Sequence, residues 1–126
     1  MAEKNVEIIQ LKSFVDERGS LQPFEYQSNC PFEIKRVFII SDVPSDLKRG
    51  KHKNIVSKHL LVCIKGSCSI KCLEDGFETI YNLDSSEKGL FINSGVYKEM
   101  YSFSKDAILL CLSDTLYNPD EYVEKE

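Results

Sequence analysis

Polar and apolar residues alternate over much of this chain, in short runs separated by turn residues. The clearest alternation covers 67–73, where Cys68, Ile70 and Cys72 share one face of an extended segment. Glu74-Asp75-Gly76 is a hairpin turn signal, and 77–83 is expected to return beside it. Segment 34–40 is rich in β-branched and aromatic residues, 59–65 reads as a buried strand ending at Gly66, and 107–112 is a continuous apolar strand. Segments 90–92 and 96–103 flank the turn Asn93-Ser94-Gly95, and 6–11 reads as a first short strand. Over 14–20 the pattern predicts a strand end and a turn centred on Gly19; 21–26, interrupted by Pro23, predicts an edge strand or bulge. Segment 41–50 reads as a loop. Only the tail reads as helix: Asn118 can cap, Pro119 suits the first helical position, and Asp120 and Glu121 complement the dipole. Roughly eight to ten short strands at turn spacings of about ten residues indicate an all-β sandwich or barrel.

Composition narrows the class. The chain has 126 residues, 42% hydrophobic and 29% charged, which suits a single globular domain spanning 1–126 with its own core. The net charge of −4 argues against nucleic-acid binding. No apolar run approaches a membrane span, and Met1–Asn5 leads into a segment too short and too charged for a signal peptide. The five cysteines lie in apolar segments at spacings that suit neither zinc nor a redox pair. A reducing cytoplasm with buried thiols is expected.

Against this acidic background, Lys48-Arg49-Gly50-Lys51-His52-Lys53-Asn54 concentrates cations beside one of the two histidines. Cations bind phosphates and a histidine can move protons, so an anionic small molecule is expected here. Alternation places His52 and Asn54 on one face, and Lys98 on a face with Val96 and Met100, opposite Tyr97 and Glu99. An inward lysine between apolar neighbours wants an anionic partner or a depressed pKa. Each residue also has a plainer reading: His52 as a solvated loop residue, His59 as a satisfied strand end, Lys98 as a surface lysine. Arg36, inside an apolar strand, must snorkel, pair or bind something, and Glu99 is a candidate partner. Two histidines not spaced i, i+2 make a metal-dependent oxygenase improbable. No phosphate-binding glycine loop or nucleophile elbow is present. The chemistry expected is acid–base work without a cofactor.

Several segments, in order, resemble the sugar-nucleotide 3,4-ketoisomerases that act on dTDP-4-keto-6-deoxyglucose. They are Arg18-Gly19-Ser20-Leu21, Pro31-Phe32-Glu33-Ile34-Lys35-Arg36-Val37-Phe38, Arg49-Gly50-Lys51-His52, Leu61-Val62-Cys63-Ile64-Lys65-Gly66-Ser67-Cys68, Gly89-Leu90-Phe91, Glu99-Met100 and Phe103-Ser104-Lys105-Asp106-Ala107. The resemblance covers nearly the whole chain. It implies a cupin double-stranded β-helix barrel, a homodimer, a dTDP-linked keto-sugar substrate, and a place in making deoxysugars for surface polysaccharide such as O-antigen. It also implies two proton-carrying histidines spaced His-x-His. The first is His52; the second position holds Asn54, a further family histidine is Lys98, and a glutamine is His59. The resemblance thus assigns acid–base work to His52, hydrogen bonding to Asn54 and an electrophilic or proton-carrying role to Lys98. Arg36, Arg49, Lys51, His59, Tyr97 and Glu99 are the expected substrate contacts. Because asparagine cannot take a proton at neutral pH, the alternative is a sugar-nucleotide-binding cupin with lost or altered turnover.

Overall fold

Hydrogen bonding between short extended segments accounts for almost all regular structure in residues 4–126, the part described by the computed structural model. Met1, Ala2 and Glu3, which belong to the segment read above against a signal peptide, lie outside it. The strands are β1 (Val6–Gln10), β2 (Phe14–Asp16), β3 (Gly19–Leu21), β4 (Arg36–Ser41), β5 (Arg49–Asn54), β6 (His59–Lys65), β7 (Cys68–Glu74), β8 (Phe77–Leu83), β9 (Lys88–Ile92), β10 (Tyr97–Tyr101), β11 (Ile108–Ser113) and β12 (Tyr122–Val123). They form two antiparallel five-stranded sheets, in the orders β1-β9-β6-β11-β4 and β12-β5-β10-β7-β8, with β2 and β3 as a separate hairpin.

The sheets enclose one core. Leu61, Cys63, Leu90, Leu109 and Cys111 from the first sheet meet Cys68, Ile70, Cys72 and Met100 from the second. The first sheet is covered on its other side as well. Leu11, Cys30 and Phe32, from the irregular chain around β2 and β3, pack on Leu60, Val62, Phe91 and Leu112. That double burial explains why β6 and β9 are nearly continuous apolar runs, while β7 alternates buried and half-buried positions. All five cysteines are free and buried. Gly66, at the β6–β7 turn, has φ +71°, and a Cβ there would lie 2.3 Å from Ser104 Oγ and 2.8 Å from Ala107 Cα. Only glycine fits this corner.

Three expectations need correction. Residues 21–26 do not form a strand. Beyond Leu21 the chain leaves the sheet and is held by a local turn, in which Glu25 O accepts from the N–H groups of Asn29 and Cys30. The hairpin turn falls on Glu17 and Arg18, with Gly19 at φ +117° beginning the return strand. The tail is not an α-helix. Asn118 caps as expected, its side chain accepting from Asp120 N, but the helix is a single 3-10 turn, Pro119–Glu121. It stops because Tyr122 and Val123 pair with Asn54 and Lys53 on β5. Pairing to a neighbouring strand outweighs the weak propensity of three helical residues.

Candidate active site

One cavity of about 230 Å³ opens between the sheets, where β4 and β6 of the first face β5 and β10 of the second. Its polar lining is Arg36, Arg49, His52, Asn54, His59, Lys98 and Tyr122; Phe38, Ile40, Leu61 and Met100 supply apolar wall. Each inward position follows from strand alternation: Arg36, Phe38 and Ile40 on β4, His59 and Leu61 on β6, Lys98 and Met100 on β10.

Arg49 and His52 are an odd number of residues apart, and a regular strand would aim them at opposite faces. A β-bulge brings them together. Lys98 pairs with His52, but the next residue, Glu99, pairs with Gly50, so Lys51 is the extra residue. Gly50 and Lys51 both adopt positive φ, +79° and +60°. A Cβ on Gly50 would sit 3.1 Å from the Lys98 carbonyl oxygen, so the bulge keeps β5 and β10 close only with glycine at that place.

The centre of the site is a buried pair. Lys98 is 3% exposed and Asn54 2%. Lys98 Nζ donates to Asn54 Oδ1 at 2.8 Å. Burial lowers the Lys98 pKa to about 8. His52 is half-buried, and its Nδ1 lies 2.9 Å from the carbonyl oxygen of Gly50. A carbonyl only accepts, so Nδ1 carries the hydrogen and Nε2 keeps its lone pair. Burial, followed by the charge of Lys98, holds the His52 pKa below the ordinary histidine value. The edge of Tyr122 lies against the His52 ring, with centroids 4.8 Å apart. Burial takes the pKa of His59 down to about 3, so it is neutral at physiological pH.

Arg36 does not pair with Glu99. Its guanidinium stacks between Phe38 and Tyr117, 4.5 and 5.0 Å from the ring centroids. Glu99 faces the other side of its sheet, where it accepts from Lys48 Nζ at 3.2 Å and Tyr97 OH at 3.1 Å. Lys51 and Tyr97 lie on that outer side with Glu124. The structure therefore gathers Arg36, Arg49, His52, Asn54, His59 and Lys98 around one cavity and sets Lys51, Tyr97 and Glu99 apart from it. Tyr122 and Glu121 were missed, because the tail was read as helix. The aromatic and β-branched pair Tyr122-Val123 was the available signal for a final strand.

Among the described residues, three buried side-chain polar atoms have no hydrogen-bond partner: Arg36 Nη1, Asn54 Nδ2 and His59 Nδ1. All three belong to residues lining this cavity. Buried polar groups are almost always partnered, so three unsatisfied ones around one space suit a polar ligand. Among the described residues, no group of three or more His, Cys, Asp or Glu side chains could hold a metal ion. No described helix is long and apolar enough to cross a membrane.

The chain matches known proteins over nearly all its length. A family model described as FdtA: WxcM-like, C-terminal, matches residues 4–126. A TDP-4-oxo-6-deoxy-alpha-D-glucose-3,4-oxoisomerase from Aneurinibacillus thermoaerophilus is 37% identical over 120 residues, covering 94% of this chain and 85% of that protein. Among solved structures, the TDP-fucose-3,4-ketoisomerase WlaRA from Campylobacter jejuni is 37% identical with a TM-score of 0.92, covering 97% of this chain and 90% of that one. The sugar 3,4-ketoisomerase QdtA from Thermoanaerobacterium thermosaccharolyticum, solved in complex with TDP, is 34% identical with a TM-score of 0.92, covering 96% and 88%. The all-β cupin architecture expected from the sequence is the one these structures share with this chain.

Proposed function

The chain belongs to the FdtA family, and from that premise we propose that it is an isomerase moving the keto group between C4 and C3 of a TDP-linked 4-keto-6-deoxyhexose. The observation that carries this reading is the meeting of His52 and Lys98 in one cavity with two arginines. The two proton carriers are tuned apart in the way such a reaction needs. His52, neutral at pH 7 with a free Nε2, takes the proton from C3 and leaves an enediolate. Lys98, mostly an ammonium below pH 8, returns a proton to C4, while the hydroxyl proton passes from O3 to O4. The ketone then stands at C3. His52 releases its proton to solvent and Lys98 regains one, so the site ends as it began.

Asn54, in place of a second histidine, orients the amine of Lys98 and offers its Nδ2 to a sugar oxygen. Arg49 and Arg36 take the diphosphate, for which paired guanidinium groups are suited. His59 offers a polar contact deeper in the cavity. Lys51, Tyr97 and Glu99 remain proposed contacts only through a second subunit or a long nucleotide reaching the outer side. A homodimer accounts for the apolar surface exposed at Phe14, Val15, Leu21, Val37 and Ile39. The reading places the enzyme in the cytoplasm, as one domain over 1–126, in deoxysugar supply for surface polysaccharide. It needs no cofactor.

The purified protein is tested by NMR with dTDP-4-keto-6-deoxyglucose in deuterated water. Deuterium at C3 of recovered substrate, or at C4 of the 3-keto product, is the expected result. Nucleotide binding without any exchange would leave a binding cupin and sink the isomerase reading.

A further inference from the structure

The cavity gathers Arg36, Arg49 and Lys98, and among the described residues none of these is in an ion pair. One carboxylate lies behind them. Glu121 is 3% exposed although it sits in the tail. It accepts from Val56 N at 3.1 Å, from Ser57 N at 2.8 Å and from the Ser57 hydroxyl. Its own carbonyl accepts from Ile55 N at 3.1 Å. The next residue, Tyr122, pairs with Asn54 and packs its ring on His52. Glu121 is therefore fastened to the turn that leaves β5, directly after the site residue Asn54. The Asn54 amide lies near its carboxylate without reaching hydrogen-bond geometry.

We propose that Glu121 is a positioning residue of the site: it ties the tail to β5 and supplies the buried negative charge that balances the cavity's cations. This rests on the isomerase reading for its consequence in turnover, but not for the charge balance itself. Burial raises the carboxyl pKa, and the hydrogen bonds from Ser57 and Val56 more than offset this, bringing it below the ordinary range. Glu121 is thus an anion at neutral pH. Its charge favours the protonated forms of His52, His59 and Lys98 alike. The other groups facing them do not replace it. Arg36 from β4 and Arg49 from β5 are cations. Cys72 from β7 and Cys111 from β11 are thiols that burial pushes up to about 12, and so carry no charge at pH 7.

The test follows the His52 ring and the Lys98 Cε and Nζ resonances through a pH titration of the full chain, with and without Glu121→Gln. Losing the carboxylate is expected to move both midpoints down, by up to about one unit. The alkaline limb of turnover should move with Lys98. Ser57→Ala keeps the charge and removes one bond of the clamp. It should lower Tm while leaving the midpoints in place. Unchanged midpoints in Glu121→Gln, or an equal shift in Ser57→Ala, would reduce Glu121 to a structural clamp and overturn the proposal. If Glu121→Gln does not fold, the unmodified chain decides. The His52 and Lys98 signals must then show a second inflection where the Glu121 carboxyl itself protonates, and single-step curves overturn the proposal. None of these midpoints needs substrate, so a chain that fails the deuterium test can still pass this one.

Discussion

The two sheets are built from different kinds of sequence. In the sheet holding β6, β9 and β11, burial on both sides leaves little room for polar residues, and Leu60, Leu61 and Val62 are all fully buried. The sheet holding β5, β7, β8 and β10 is buried on one side only. Its outer face carries Lys71, Glu78, Tyr97 and Glu99, and its inner face carries Asn54 and Lys98 as well as Ile70 and Met100. The first sheet supplies stability and a wall. The second, anchored by the first, can hold a buried amine and a half-buried imidazole. The difference teaches where change is tolerated: an inward polar residue on the second sheet costs stability and returns chemistry.

The sharpest way to break this division is to remove the proton carriers. His52→Ala is expected to lower kcat by roughly 10²–10⁴-fold with little change in Tm. Lys98→Met should do the same with only a small change in Tm, because removing a buried charge that no direct ion pair holds is offset by leaving Asn54 Oδ1 without its donor. Either variant unfolding on its own would show that the second sheet also depends on its site for stability. Next in size is Leu61→Ala on the doubly buried sheet. It should cost about 2–5 kcal/mol by denaturant titration, through lost burial and the cavity left behind.

His59 is the polar exception on the first sheet, and it predicts a pH dependence. Its pKa falls from 6.5 to about 3 on folding. Between those values the unfolded chain binds a proton that the folded chain refuses. The stability it contributes is therefore complete above pH 6.5 and is lost as pH falls toward 3, by roughly a few kcal/mol in all. Replacing it, as His59→Gln, should flatten the acid side of the stability curve. The smallest effect belongs to the outer face of the second sheet. Lys71 and Glu78 pair at 3.6 Å with side chains 23% and 51% exposed. Lys71→Ala should change stability by less than about 1 kcal/mol.

The contrast also explains what could be read from the sequence. β6 was placed at 59–65 and β8 at 77–83 because their apolar composition or flanking turns bound them tightly. The inward set on β10 followed from alternation, which separated Lys98 from Tyr97 and Glu99. Alternation fails where a residue is inserted, so the joint approach of Arg49 and His52 was visible only through the resemblance, not through spacing. The partner of Arg36 was misread because stacking on Phe38 and Tyr117 depends on a chain crossing that no local pattern encodes. Glu121 was hidden for a similar reason: its donors, Val56 and Ser57, lie far away in sequence.

The bulge at Lys51 acts as a change of reading frame between two neighbouring strands. On the Asn54 side, β5 and β10 are in step; beyond it, β5 runs one residue ahead. Deleting Lys51 would restore the frame without shortening the sheet. Arg49 would then stand two residues from His52 and keep Met100 as its partner, so both side chains would still face the cavity from a regular strand. What the shorter chain would lose is the local kink and added twist at that step, while the proton carrier and the cation set to hold the phosphate stay on one face.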